Sequence, residues 1–402
     1  MKTKKLLAVI LIAIMTMALP SCGSKCVREG KLNEVFDRVF DAGTYTSLDE
    51  DYAQEYFAEA YDQWEKDGGC TAVAKVLDDG DMIVGRNMDL TICNKAAYVF
   101  RTKVDDCYET INTCYSFRDI SPDYSYVKKK GLGEKFEKVL PFMSDDVMNS
   151  EGLYCEINMR EGEVWPTGET KFGCAGTNPD ADERIYLFSL PMYIGMNCAT
   201  VDEALEYVKT LDIYSMYGNE MDANTYCFIL ADKSGHYGLL EFGKDQIYWN
   251  EGQQAQANFF INEELAKDQL LKAGVGRYDK VMAGIDKVQN EKEMFDLMDS
   301  VTYYQTYFPD KCQFDNRSEF IGVLPQWTTD VMLDDTYKDK IEAVVADTGA
   351  YLNSLSRQEI RDQNFFWESI FTEVANCNNR TIDIRFYEDD SKRMTLGFDE
   401  NK

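Results

Sequence analysis

Hydrophobic and polar positions follow three rhythms along the chain. A nearly unbroken apolar run, Leu6 to Leu19, follows Lys2, Lys4 and Lys5. It is shorter than the ~20 apolar residues that span a bilayer, and its basic start marks it as a secretory signal sequence. Next, Leu32, Val35, Phe36, Val39 and Phe40 fall at i, i+3, i+4, i+7 and i+8, which predicts an amphipathic helix. Ser47-Leu48-Asp49-Glu50 forms a capping box for a second helix, with Tyr52, Tyr56, Ala60 and Trp64 on one face and Asp67-Gly68-Gly69 as its end. Residues 23–69 are therefore expected to be a helical segment ahead of the main domain.

From Cys70 the rhythm shifts towards period two. Strands are predicted over Thr71–Leu77, Met82–Gly85, Ala97–Arg101, Leu153–Met159 and Arg184–Leu190, the first two joined by the turn Asp78-Asp79-Gly80-Asp81. Thr200-Val201-Asp202-Glu203 caps a helix. Tyr226–Ala231 and Tyr237–Phe242 form a hairpin, followed by a strand at Ile247–Trp249. Helical patterns cover much of 263–300 and 336–360, and Thr381–Tyr387 with Arg393–Phe398 predicts a closing hairpin. With no internal repeat or Pro/Gly-rich linker after residue 70, one α+β domain over 70–402 is expected.

Composition narrows the function. A formal net charge of -29 repels phosphate backbones, so a nucleic-acid partner is not expected. None of the twelve cysteines makes a CxxC pair, and no tight Cys/His cluster suggests zinc. The chain has a single histidine, His236, beside Gly235 in the predicted hairpin turn. Ser-His-Asp and Cys-His hydrolases need a positioned imidazole, so an enzyme built on this chain must take its base from elsewhere. One source is the α-amine of an N-terminal nucleophile, which titrates near pH 7.7–8.0 and accepts a proton without large tuning. Gly69-Cys70 offers such a nucleophile if the peptide bond between them is cut.

The residues after the cysteine sharpen this. Arg86 lies sixteen and Asp89 nineteen positions beyond Cys70, in Gly85-Arg86-Asn87-Met88-Asp89. This pattern resembles the choloylglycine hydrolase family of N-terminal-nucleophile hydrolases, which includes bile salt hydrolases and penicillin V acylases. Asn149-Ser150-Glu151-Gly152-Leu153 resembles that family's Asn-Glu-x-Gly-Leu segment, with Asn158 after it; Asn258 and Arg277, in Gly276-Arg277-Tyr278, resemble two further family positions.

The resemblance implies an αββα four-layer sandwich of two antiparallel sheets and no metal or cofactor. It implies that Cys70 is the nucleophile, that Arg86 favours its thiolate, that Asp89 holds its α-amine, and that Asn158 lines the oxyanion hole. Asn258 would stand near the α-amine, and Arg277 would be the family's second arginine. The implied reaction is hydrolysis of linear C–N amide bonds. Small amphipathic N-acyl amides of fatty or aromatic acids are favoured as substrates, with conjugated bile salts and penicillin V-like amides as alternatives. A non-catalytic ligand-binding lipoprotein is the rival of another class. Leu19-Pro20-Ser21-Cys22 looks like a bacterial lipobox, which would lipidate Cys22 and anchor the chain to the cell envelope, unless the signal is simply removed and the protein secreted. The aromatic faces of 23–69 need a partner, so that segment is expected to stay bound as a small non-covalent subunit after cleavage. Homo-oligomerisation is left open.

Overall fold

The computed structural model describes residues 25–30, 32–36, 38–60, 69–91, 96–115, 124–160, 176–214, 225–243, 246–267, 274–302, 367–387 and 389–398. The signal run, Cys22, Trp64, Asp67-Gly68 and the helix expected over 336–360 lie outside the described residues.

Ahead of Cys70 the chain forms β1 (Val27–Glu29), β2 (Asn33–Phe36), β3 (Val39–Ser47) and helix α1 (Glu50–Ala60). The helix expected over Leu32–Phe40 is thus replaced by two antiparallel strands that turn at Arg38, whose φ is 67°. Val35, Phe36, Val39 and Phe40 satisfy helical spacing, yet β-branched and aromatic side chains suit a pleated surface at least as well. A neighbouring strand edge decides in favour of pairing. Helix α1 starts two residues later than the capping box puts it: Ser47 ends β3, and Asp49 rather than Ser47 accepts from the Tyr52 N–H, at 3.1 Å.

The next strands are β4 (Gly69–Val76), β5 (Met82–Thr91), β6 (Ala97–Thr102) and β7 (Thr110–Tyr115), then helices α2 (Tyr124–Lys130) and α3 (Glu134–Val139). Strands β8 (Asp146–Asn149), β9 (Leu153–Arg160) and β10 (Glu183–Tyr186) precede α4 (Leu190–Asn197), α5 (Val201–Tyr207) and β11 (Leu211–Tyr214). The strand expected over Arg184–Leu190 stops at Tyr186, because Pro191 in the first turn of α4 favours a helix start there. Then come β12 (Thr225–Asp232), β13 (Tyr237–Phe242), β14 (Ile247–Glu251), β15 (Ala255–Gln256) and helices α6 (Glu263–Ala266), α7 (Val275–Gly284) and α8 (Glu291–Asp299). Strands β16 (Trp367–Asn376), β17 (Thr381–Phe386) and β18 (Arg393–Gly397) close the fold.

Among the described residues, two large sheets result. One has ten strands, ordered β1-β3-β6-β7-β8-β9-β12-β13-β14 with β2 beside β3; the other has six, ordered β15-β4-β5-β16-β17-β18. Their inner faces share a core in which Cys70, Ala72 and Met88 meet Tyr154, Cys227 and Ile229. The outer face of the six-stranded sheet packs on α7 and α8 through Val73, Ile83, Val281 and Met294. The outer face of the ten-stranded sheet packs on helices through Tyr98, Phe228, Phe57, Phe136 and Ile194. The order is helix, sheet, sheet, helix, as expected for an αββα sandwich.

One expectation needs correcting. The ten-stranded sheet is mixed, because β3 runs parallel to β6, with Phe40 opposite Tyr98 and Tyr45 opposite Thr102. Main-chain bonds seal that pair: Ala97 N–H to Arg38 O at 3.0 Å and Lys103 N–H to Tyr45 O at 2.7 Å. Tyr45 and Phe57 are buried, so the segment ahead of Cys70 fills part of the core.

Candidate active site

The β4–β5 hairpin turns a spacing in sequence into a cluster in space. Cys70 lies opposite Met88, Gly69 opposite Asp89 and Ala72 opposite Arg86. Opposed residues of an antiparallel pair share a face, so Cys70, Met88 and Arg86 point between the sheets while Thr71 and Asp89 point towards α7. Cys70 Sγ is 3.5 Å from Met88 Sδ and 3.9 Å from Arg86 Nη2.

The main chain of Cys70 is held as firmly as its sulfur. Its N–H donates to Asn258 Oδ1 at 3.2 Å, and its carbonyl accepts from Arg277 Nη1 at 2.7 Å. Arg277 Nη1 also donates to Thr71 Oγ1 at 2.5 Å and reaches Asp89 Oδ2 at 3.3 Å, while Nη2 donates to Asn258 Oδ1 at 2.7 Å. Gly274 makes room for this guanidinium: its φ is +78°, and a Cβ there would stand 2.6 Å from Arg277 Nη2. Asp89 Oδ1 accepts from Ser369 Oγ. Ser369 faces Asp89 because the pairing of β16 with β5 shifts register at Ile370, between Ser369–Asp89 and Phe371–Met88.

Asn158 lies on the inner face of β9 and is buried. Two bonds bracket it: Arg86 Nη2 donates to Ile157 O at 2.7 Å, and Asn258 Nδ2 donates to Met159 O at 2.8 Å. The Asn149–Gly152 segment sets up this strand. Asn149 Oδ1 accepts from Glu151 N and Leu153 N at 3.1 and 2.9 Å, and Gly152 takes a φ of 87°. Five of the six expected residues, Cys70, Arg86, Asp89, Asn258 and Arg277, therefore join one connected cluster, and Asn158 is tied to it through bonds to the carbonyls of its neighbours Ile157 and Met159. His236 is not in it; its ring nitrogens face Asp202 at 3.4 Å and Glu251 at 3.1 Å.

Arg86 pulls the Cys70 thiol towards its thiolate, in the direction that the resemblance implies, but burial outweighs that pull. Burial pushes the Cys70 thiol up to about 12, and the opposing pull of Arg86 does not offset it. Behind the sulfur, Arg86 Nε is 2.7 Å from Asp146 Oδ1 and 3.2 Å from Glu156 Oε2. Glu373 stands opposite Arg86 in the β16–β5 pairing and accepts from Tyr154 OH at 2.5 Å. One cation thus meets several fully buried acidic groups, while burial of the sulfur itself remains the main reason that its thiol is raised. Burial also raises Asp146 and Asp145 well above the usual carboxylate range, against the pull of Arg86, and Glu373 to about 7. Asp89 is raised to about 6 by burial, against the pull of Arg277 and the Ser369 bond.

Sequence reasoning missed Thr71, Asp146, Glu156, Gln256, Ser369 and Glu373. One local signal existed: in Tyr154-Cys155-Glu156-Ile157-Asn158 the polar residues share the face with Tyr154, so a buried polar layer was encoded there.

Residues 70–253 match the sequence profile of the linear amide C–N hydrolases, choloylglycine hydrolase family. Over that stretch the chain is similar to this hydrolase family. This match starts at the residue that the cluster surrounds. Among solved structures, a variant of conjugated bile acid hydrolase from Clostridium perfringens is similar at 13% identity and a TM-score of 0.42, over 83% of this chain and 94% of that one. Penicillin V acylase from Agrobacterium tumefaciens is similar at 13% identity and a TM-score of 0.38, over 83% of this chain and 87% of that one. No curated protein sequence gives a significant match.

Proposed function

We propose that this chain is a linear amide C–N hydrolase of that family, which cuts itself between Gly69 and Cys70 and then uses the new N-terminal cysteine to hydrolyse N-acyl amides of fatty or aromatic acids. One observation carries the reading: the nitrogen, carbonyl and sulfur of Cys70 are each in contact with a residue of the expected set, Asn258, Arg277 and Arg86. In the uncut chain that nitrogen is an amide with no basic lone pair. Cutting turns it into an amine that can take the thiol proton and offset the burial that holds the thiol neutral.

Sγ then attacks the substrate carbonyl, and the amide of Asn158 donates to the oxyanion. The α-amine passes its proton to the leaving amine, which departs and leaves a thioester. A water activated by the same amine adds to the thioester, releasing the acid and restoring the thiol. Asp89, fixed by Ser369 and Arg277, accepts from the α-ammonium.

The segment ahead of the cut is part of the same proposal. Strand β3, parallel to β6, and the burial of Tyr45 and Phe57 support its retention as a non-covalent subunit. A lipid on Cys22 would then keep the enzyme at the cell envelope.

The test combines intact mass with a panel of N-acyl amides, glycocholate, taurocholate and penicillin V. Cys70→Ala should neither lose the leader nor turn over any of them. Normal turnover by that variant would overturn the assignment, and preferred cleavage of a bile salt or penicillin V would move the substrate class.

A further inference from the structure

The two residues that flank Cys70, Arg86 on its sulfur and Asn258 on its nitrogen, come from different elements. Arg86 is on β5, whereas Asn258 follows β15. Their separation must hold for the sulfur and the amine to act together, yet β5 and β15 are not paired with each other, because β4 lies between them in the sheet. The link runs through the opposite sheet. Glu156 on β9 is fully buried, and its Oε2 accepts from Arg86 Nε at 3.2 Å. Its Oε1 accepts from Ile229 N–H at 3.1 Å and from Gln256 Nε2, two residues before Asn258.

Resting on the function proposed above, we infer that Glu156 is a positioning residue, tying Arg86 through one carboxylate oxygen and the Gln256–Asn258 segment through the other. A charge-assisted bond to each side holds both groups at fixed reach from Cys70. Asp146 is closer to Arg86, but its other oxygen accepts from Thr113 Oγ1 at 3.3 Å, on the side of β7 rather than β15. Asp146 balances the charge of Arg86; Glu156 connects that charge to the Asn258 side. Glu156 also sits two residues before Asn158 on the same face, so any shift of its strand moves the oxyanion amide as well.

The charged and titratable groups around Cys70 and Arg86 are Tyr115 on β7, Asp145 and Asp146 on β8, Tyr154 and Glu156 on β9, Asp89 on β5, Arg277 on α7 and Glu373 on β16. Removing the charge of Glu156 alters this set by one negative charge near the sulfur. Substitution of Gln256 alters the link and no charge. The two changes can therefore be told apart.

Glu156→Gln replaces one accepting oxygen with a donating NH2, and since donors stand on both sides, one link must open whichever way the amide turns. A displacement of about 1 Å at a reacting group costs up to about 100-fold, so kcat should fall about 10- to 100-fold with KM little changed. The pH midpoint of Cys70 alkylation by iodoacetamide, followed by peptide mass spectrometry, should move down. Gln256→Leu should lower kcat in the same way and leave that midpoint unmoved. Wild-type kcat in either folded variant would overturn the proposal, as would a fall in kcat by Glu156→Gln with an unmoved alkylation midpoint. If Glu156→Gln does not fold, Gln256→Leu decides alone. If the wild-type chain turns over no amide of the panel, the proposed function falls, and the alkylation midpoints then decide for or against Glu156.

Discussion

Replacing Arg277 by lysine tests the support beneath Cys70 most directly. Two terminal nitrogens of Arg277 serve four acceptors: Cys70 O, Thr71 Oγ1, Asp89 Oδ2 and Asn258 Oδ1. A lysine keeps the charge but brings one nitrogen, which cannot stand at both positions of the fork. The Asn258 bond and at least one other should be lost. Hydrogen bonds to charged groups contribute about 1.5–3 kcal/mol each, so the loss should be about 3–5 kcal/mol, similar to unpairing a buried charge. Asp89, already raised to about 6, should rise further as its cation moves away. The assay is urea unfolding of Arg277→Lys in a Cys70→Ala background, where every chain is uncut, together with a time course of leader loss by intact mass in the Cys70 chain. A change in stability under about 0.5 kcal/mol with cleavage at the wild-type rate would refute this account of Arg277.

Three further outcomes follow from the site and the leader. In a partly processed preparation, iodoacetamide at pH 7.5 should label Cys70 at least about tenfold more slowly in uncut chains than in cut ones, because the thiol is buried and pushed up to about 12; equal labelling on peptide maps would contradict this. Phe57→Ala removes a buried ring packed 5.5 Å from Tyr186 and should weaken retention of the leader by about 3–5 kcal/mol, seen as its release on gel filtration of cut protein. Glu373, at about 7, and Asp89, at about 6, lie above their unfolded values of 4.5 and 3.8. Their contribution is fully present below about pH 4 and is lost as pH rises through 6–7; Glu373→Gln should flatten the fall in melting temperature between pH 5 and 8, and parallel curves for the two proteins would exclude the effect.

The sequence carried the centre of the site because a single antiparallel hairpin holds it. Cys70, Arg86 and Asp89 are separated only by β4, a tight turn and β5, so their spacing fixes their contacts. Asn258 and Arg277 were found by resemblance to a family, not by periodicity, since nothing local in the chain points them at Cys70. Glu156, Ser369 and Glu373 escaped because each acts across strands brought together by the whole fold; Ser369 is 280 residues from the carboxylate it meets. The leader was misread for a related reason. Helical spacing at Leu32–Phe40 is real, but the partner that makes it a strand is β6, which lies beyond the whole β4–β5 hairpin.

That placement of β3 bears on how the protein can be made and lost. While the chain is whole, the strand is tethered to the sheet it completes, and closing the loop costs only the entropy of the residues between. If the proposed cleavage breaks the bond before Cys70, the same contact becomes a bimolecular one, and its re-formation depends on dilution. Folding would then happen once, on the uncut chain, and a processed molecule that opens would rarely find its missing strand again. Such a protein keeps its activity through a slow rate of opening rather than a favourable equilibrium, and its thermal loss should be irreversible and steeper at low concentration. Cleavage would act as a one-way latch on the folded state as well as an activation step.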